Sequence, residues 1–137
     1  MSNIKVEPYL FFKGNAQEAI KFYQSIFGGE IETMTYKDMN MPLPVGFTET
    51  SLMHASLKGG DVDLMVSDTE EASEKATKVT ISLGSDDEEK LTSYFNALSE
   101  GVTVRYPLKK EVWGDTFGML TDKFGIDWMV NIESRKT

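Results

Sequence analysis

The chain has 137 residues, 40% of them apolar and 11% aromatic, enough to close one core of ordinary domain size. Against 22 Asp plus Glu it sets 14 Lys plus Arg, and the resulting net charge of −8 repels phosphate backbones and anionic lipid surfaces, so neither nucleic acid nor a membrane is an expected partner. It has no cysteine, hence no disulfide, thiolate metal ligand or cysteine nucleophile; its N-terminal MSNIKVEPYLFF lacks the features of a secretory signal, and a cytoplasmic protein is expected.

Ile4 to Phe12 is apolar and aromatic enough for a strand, with Pro8 marking an edge or bend. After Lys13-Gly14-Asn15, Ala16, Ala19, Ile20, Tyr23, Ile26 and Phe27 recur at helical spacing, with Asn15 placed as cap and Gly28-Gly29 as stop. Glu30 to Lys37 alternates as a strand and runs into a Met-rich loop, Asp38 to Thr48, that contains Pro42 and Pro44. Thr50 to Leu57 and Val62 to Val66 read as two strands joined by the Gly59-Gly60-Asp61 turn.

The acidic segment Asp68 to Thr77 has few groups to bury and reads as a connector. The pattern then starts again: a strand at Lys78 to Leu83, a capping-box signature at Ser85 and Glu88, and a helical stripe of Leu91, Tyr94, Phe95 and Leu98 that ends near Gly101. Val102 to Leu108, Trp113 to Thr121 and Ile126 to Ile132 supply three more strands, so each half reads βαβββ. The expected fold is α+β: one domain of two βαβββ units, about 1–68 and 77–134, forming a cupped mixed sheet around a cleft.

Three blocks carry a resemblance. They are PYLFFKGNAQEAIKFYQSIFGGE at Pro8 to Glu30, MHASLKGGDVDLMVSD at Met53 to Asp68, and WGDTFGMLTDKFGIDWMVN at Trp113 to Asn131. In that order they resemble the vicinal oxygen chelate superfamily, the glyoxalase, bleomycin-resistance and extradiol dioxygenase group, and most closely its PhnB-like branch. Sequences of this branch often carry a demethylubiquinone methyltransferase label. The chain has no Gly-rich strand-to-helix turn of the kind that cradles a nucleoside cofactor, so that label is not expected to describe it.

The resemblance also implies where a catalytic metal would be held, on the first strand of each unit and near each last strand. On the first strand of the first unit only Glu7, beside Pro8 and Tyr9, offers a donor. Near the end of that unit the chain has Met65 and Ser67; in the second it has Thr80 and Ser82, with Met129 in the place of the carboxylate. His54 is the one imidazole. Glu7 and His54 are therefore the only metal candidates, a divalent ion is not expected, and no other cofactor is implied. His54 is also the sole candidate for a general base or ligand-orienting hydrogen bonder. Asp122 is expected to shape the turn before Phe124-Gly125.

These readings converge on a metal-free small-molecule binder, a homodimer with an apolar, aromatic pocket. The pocket candidates are Tyr9, Phe11, His54, Met65, Trp113, Phe117, Met119, Trp128 and Met129, although alternation along the strand sends Trp128 and Met129 to opposite faces. Two alternatives stand beside it: a divalent-metal-dependent lyase, isomerase or dioxygenase using Glu7 and His54, and a dimeric interaction protein using the loop Met39 to Thr48.

Overall fold

A computed structural model describes residues 4–70 and 79–134. The chain divides into two compact units, Met1–Ser73 and Glu74–Thr137. The acidic connector expected from the sequence lies for the most part outside the described residues.

The first unit runs β1 (Tyr9–Phe12), α1 (Ala16–Phe27), β2 (Glu30–Thr35), β3 (Leu52–Lys58) and β4 (Leu64–Asp68). Its strands form one sheet in the order β1-β4-β3-β2, with β1 parallel to β4 and the other pairs antiparallel. Helix α1 covers one face of it because Ala16, Ala19, Ile20, Tyr23 and Phe27 fall on a single stripe, and all five are buried. From the sheet, Phe12, Ala55, Leu57, Leu64 and Val66 meet that stripe. The helix ends where Gly28 adopts φ 74° and its N–H donates to the Gln24 carbonyl at 2.8 Å. Strand β1 starts five residues later than the apolar run suggests. Among the described residues its one partner is the short β4, so Ile4 and Val6 extend past the ladder and are almost fully exposed.

Asp68 corrects the sequence reading. It was placed at the head of the connector, yet it is the last residue of β4, has no exposed surface and accepts three backbone hydrogen bonds. Its Oδ1 takes the N–H groups of Gly14 (2.7 Å) and Ala16 (2.9 Å), and Oδ2 takes that of Leu52 (2.8 Å). Asn15 stands at the cap position of α1 but makes no capping bond with its side chain. A carboxylate from 53 positions downstream does that work, at the positive end of the helix where a negative charge is favoured.

The second unit repeats the order with β5 (Ile81–Ser85), α2 (Glu88–Leu98), β6 (Tyr106–Lys110), β7 (Thr116–Thr121) and β8 (Asp127–Ile132), in a sheet ordered β5-β8-β7-β6. Leu91, Phe95 and Leu98 of α2 are buried, as are Leu120, Trp128, Val130 and Ile132 of the sheet. Gly118 makes that packing possible, because a Cβ there would lie 2.8 Å from the Phe95 ring and 3.0 Å from the Leu108 nitrogen. The cap of α2 is Asp87, whose Oδ1 accepts from the Lys90 N–H at 3.1 Å, rather than the expected Ser85. Ser85 instead accepts from the Asp87 N–H, one step earlier in the turn.

Candidate functional site

In a sheet, residues directly opposite one another on neighbouring strands share a face. In the first unit Tyr9 lies opposite Met65, Met65 opposite Ser56, Phe11 opposite Ser67 and His54 opposite Met34. These residues form the face away from α1. Tyr9 (39% exposed) and Phe11 (51%) stack with ring centroids 4.8 Å apart and 16° between planes. The Tyr9 hydroxyl lies 2.7 Å from His54 Nδ1, and the two rings meet edge to face at 5.4 Å. Four of the residues proposed from sequence are thus neighbours on one exposed surface.

The second unit presents a corresponding face built from Phe117 opposite Asn131, Met119 opposite Met129 and Ser82 opposite Met129. Trp113, on the loop before β7, packs edge to face on Phe117 at 6.4 Å and remains 61% exposed. The base of that loop is held by Asp115, a residue the sequence reading did not single out. Its Oδ2 accepts from Asn131 Nδ2 (3.0 Å) and its Oδ1 from the Ser134 N–H (3.1 Å).

Trp128 does not belong with these residues. It lies opposite Leu120, has no exposed surface and donates its indole N–H to Asp122 Oδ2 at 2.9 Å. The alternation that brings Met129 to the open face sends Trp128 into the core under α2, so it is withdrawn from the candidate pocket. Asp122 shapes the turn, its Oδ1 accepting from the Phe124 and Ile126 N–H groups, and it also anchors that tryptophan. The indole contact had no signal in the local sequence, since it joins positions six apart across a hairpin.

An open depression of about 620 Å³ lies elsewhere on the second unit, lined by Asp86, Asp87, Glu88, Glu89, Lys110, Thr116 and Glu133 among others. It shares none of the aromatic residues. Asp86, Asp87, Glu88 and Glu89 of its rim lie at the start of α2, where the helix dipole favours negative charge without any ligand.

Tyr36, after β2, donates its hydroxyl to the Asp68 carbonyl at 2.6 Å. Burial pushes its phenol pKa up, and the nearby negative charges of Asp68 and Glu70 add to the rise. Asp38 is shifted the other way, held below the usual carboxylate range by hydrogen bonds from the backbone and side chain of Thr35.

The model of the family described as 3-demethylubiquinone-9 3-methyltransferase matches residues 4–131. The chain belongs to this family. A solved structure of protein PA1353 from Pseudomonas aeruginosa is 38% identical, covers 97% of this chain and 100% of its own, and superposes with a TM-score of 0.81. A putative 3-demethylubiquinone-9 3-methyltransferase, PhnB protein, from Bacillus cereus is 24% identical with a TM-score of 0.71, covering 93% and 98% of the two chains. A bleomycin-binding protein solved with bleomycin is 17% identical with a TM-score of 0.54, covering 98% and 100%. At these identities the last two show the fold alone. The family match agrees with the PhnB-like branch, and the α+β fold of two four-stranded mixed sheets with two helices is that of the bleomycin-resistance proteins.

The resemblance to the vicinal oxygen chelate superfamily implies a divalent ion, and the donors of this PhnB-like chain decide whether one fits. On the open faces the first strands offer the Tyr9 phenol, already bonded to His54, and the Ser82 hydroxyl; the last strands offer the thioethers of Met65 and Met129. Thioethers and hydroxyls are poor ligands for a hard or borderline cation. Among the described residues no three His, Asp or Glu side chains gather into a ligand set. The donors of this PhnB-like chain do not fit the ion. Glu7 Oε1 is buried and has no hydrogen-bond partner among the described residues, but no second carboxylate or imidazole is grouped with it into such a set.

Proposed function

We propose that the protein is a metal-independent binder of a small organic molecule, acting as a homodimer. The observation that carries this reading is the open face of the first unit, where Phe11, Met34 and Met65 surround the bonded Tyr9–His54 pair. Exposed apolar area of this kind, rimmed by a few polar groups, marks ligand and interaction surfaces. The second unit repeats the theme with Trp113, Phe117, Met119 and Met129. That a protein of the same fold is described with bleomycin bound supports the reading, because it shows an organic ligand accommodated on this architecture.

The methyltransferase activity named by the family description is set aside for this chain. At the β1–α1 joint, where nucleotide-binding folds offer backbone N–H groups to a cofactor, those of Gly14 and Ala16 are already bound by Asp68.

A thermal-shift screen of small organic compounds tests the proposal. A binder shows a melting temperature that climbs with the concentration of the compound, and the rise shrinks in a Phe11→Ala variant. Metal analysis of protein purified without chelator is the second arm: a stoichiometric divalent ion, lost in His54→Ala, overturns the metal-free reading. Light scattering on the purified chain checks the dimer.

One observation favours an interaction protein instead. Met39, Met41, Leu43 and Val45 in the loop after β2 are 42% to 97% exposed. If no compound stabilises the protein, while a partner co-purifies with the intact chain and is lost when these four residues are changed to serine, the loop is the functional surface.

A further inference from the structure

We infer that the Tyr9–His54 pair is the polar recognition element of the first unit's open face, and that it selects a neutral, flat aromatic molecule bearing a ring-conjugated carbonyl oxygen. This rests on the small-molecule reading above and gives it a ligand class.

The argument starts from the 2.7 Å contact between the Tyr9 hydroxyl and His54 Nδ1. A phenol oxygen gives up part of its lone-pair density to its ring and is a better donor than acceptor, whereas an unprotonated imidazole nitrogen accepts strongly. The hydroxyl therefore donates to Nδ1, and the neutral imidazole carries its proton on Nε2. Among the described residues Nε2 has no protein partner. Of the two serine hydroxyls on this face, Ser67 donates to the Met53 carbonyl at 2.7 Å and Ser56 is buried, out of reach of a ligand on the surface. The donor left on this face for a ligand is the imidazole N–H, and its complement is an acceptor oxygen.

Shape and charge narrow the class. Tyr9 and Phe11 stack nearly parallel, and both stay partly exposed, so they form a platform for a third flat ring. Met65 lies opposite Tyr9 and supplies a polarisable flank. Glu32, opposite Ser56 on the same face, is exposed, and the whole chain carries a net charge of −8. A carboxylate ligand is repelled here; a carbonyl is not.

His54 is the only histidine of the chain, so imidazole nitrogen-15 NMR gives one unambiguous pair of signals. With the ring neutral, the free protein is expected in the Nε2–H form, and Tyr9→Phe brings in the Nδ1–H form. The ligand class is probed with 1-indanone and, as the same shape without the carbonyl, indane. 1-Indanone should bind and move the His54 Nε2 signal. His54→Ala should weaken it about fivefold, the equivalent of one ordinary hydrogen bond, and leave indane unaffected. Both side chains are at the surface, and Tyr9→Phe is a conservative second variant should the alanine disturb folding.

An Nδ1–H tautomer in the unchanged protein overturns the inference. So does an equal effect of His54→Ala on the two probes, or failure of 1-indanone to bind. Indane binding without discrimination, or other hits in the compound screen, would leave the small-molecule reading standing while this ligand class falls.

Discussion

Asp68 sits at the end of β4 and joins three segments of the first unit through the N–H groups of Gly14, Ala16 and Leu52. Asp68→Ala leaves three donors without an acceptor and is expected to cost about 3 kcal/mol or more, read as a lower urea midpoint. Asp68→Asn retains one acceptor oxygen and should cost less. Tyr36 offers a pH-dependent readout at the same residue. Because its pKa is raised in the fold, the folded state favours the protonated phenol; its stabilisation is complete below the ordinary tyrosine value of about 10 and is lost as pH rises through the higher folded value. Tyr36→Phe should cost about 1 kcal/mol at neutral pH by removing the bond to the Asp68 carbonyl, and flatten the alkaline part of the stability profile, as denaturation at stepped pH will show. Met129 reads in the sequence as a thioether where the family resemblance implies a carboxylate. Asp68 was not legible there, because it reads as one more acid in an acidic segment until the strand pairing brings it under the helix.

Glycines decide how closely the elements approach. A Cβ on Gly60 would run into the backbone of Phe27 and Gly28, at the place where Asp61 N–H donates to the Phe27 carbonyl and the β3–β4 turn touches the end of α1. Gly118 lies under the Phe95 ring. Gly60→Ala and Gly118→Ala are each expected to lower stability by about 1–3 kcal/mol, the usual cost of overpacking. Gly84→Ala, whose Cβ would meet nothing nearer than the Asn131 oxygen at 3.9 Å, should leave the melting temperature within about a degree of the parent, equivalent to a few tenths of a kcal/mol. Equal losses at all three positions would refute the close-approach argument. The order of the elements was readable from periodicity alone; their ends were not. Strand β6 was expected at Val102 to Leu108 and is found at Tyr106–Lys110, since its limits follow the register against β7 rather than its own composition.

The molecule is built from one βαβββ plan used twice, and the two units have diverged by chemistry rather than by architecture. Met65 and Met129 occupy the same register position on the last strands, opposite Tyr9 in one unit and Ser82 in the other. With a donor set of this kind, dialysis against a chelator is expected to leave the melting temperature unchanged; a fall of several degrees, reversed by one divalent ion, would show a stabilising metal. Sequence by itself determined the α+β class, the repeated plan and the family, because these depend on residue type and spacing along the chain. Only tertiary structure decided that Trp128 is core while Met129 is surface, that Asp68 caps a helix from another strand, and that Tyr9 meets His54. Each of those depends on pairing between segments distant in sequence, and a shift of one residue in register would have reversed every face.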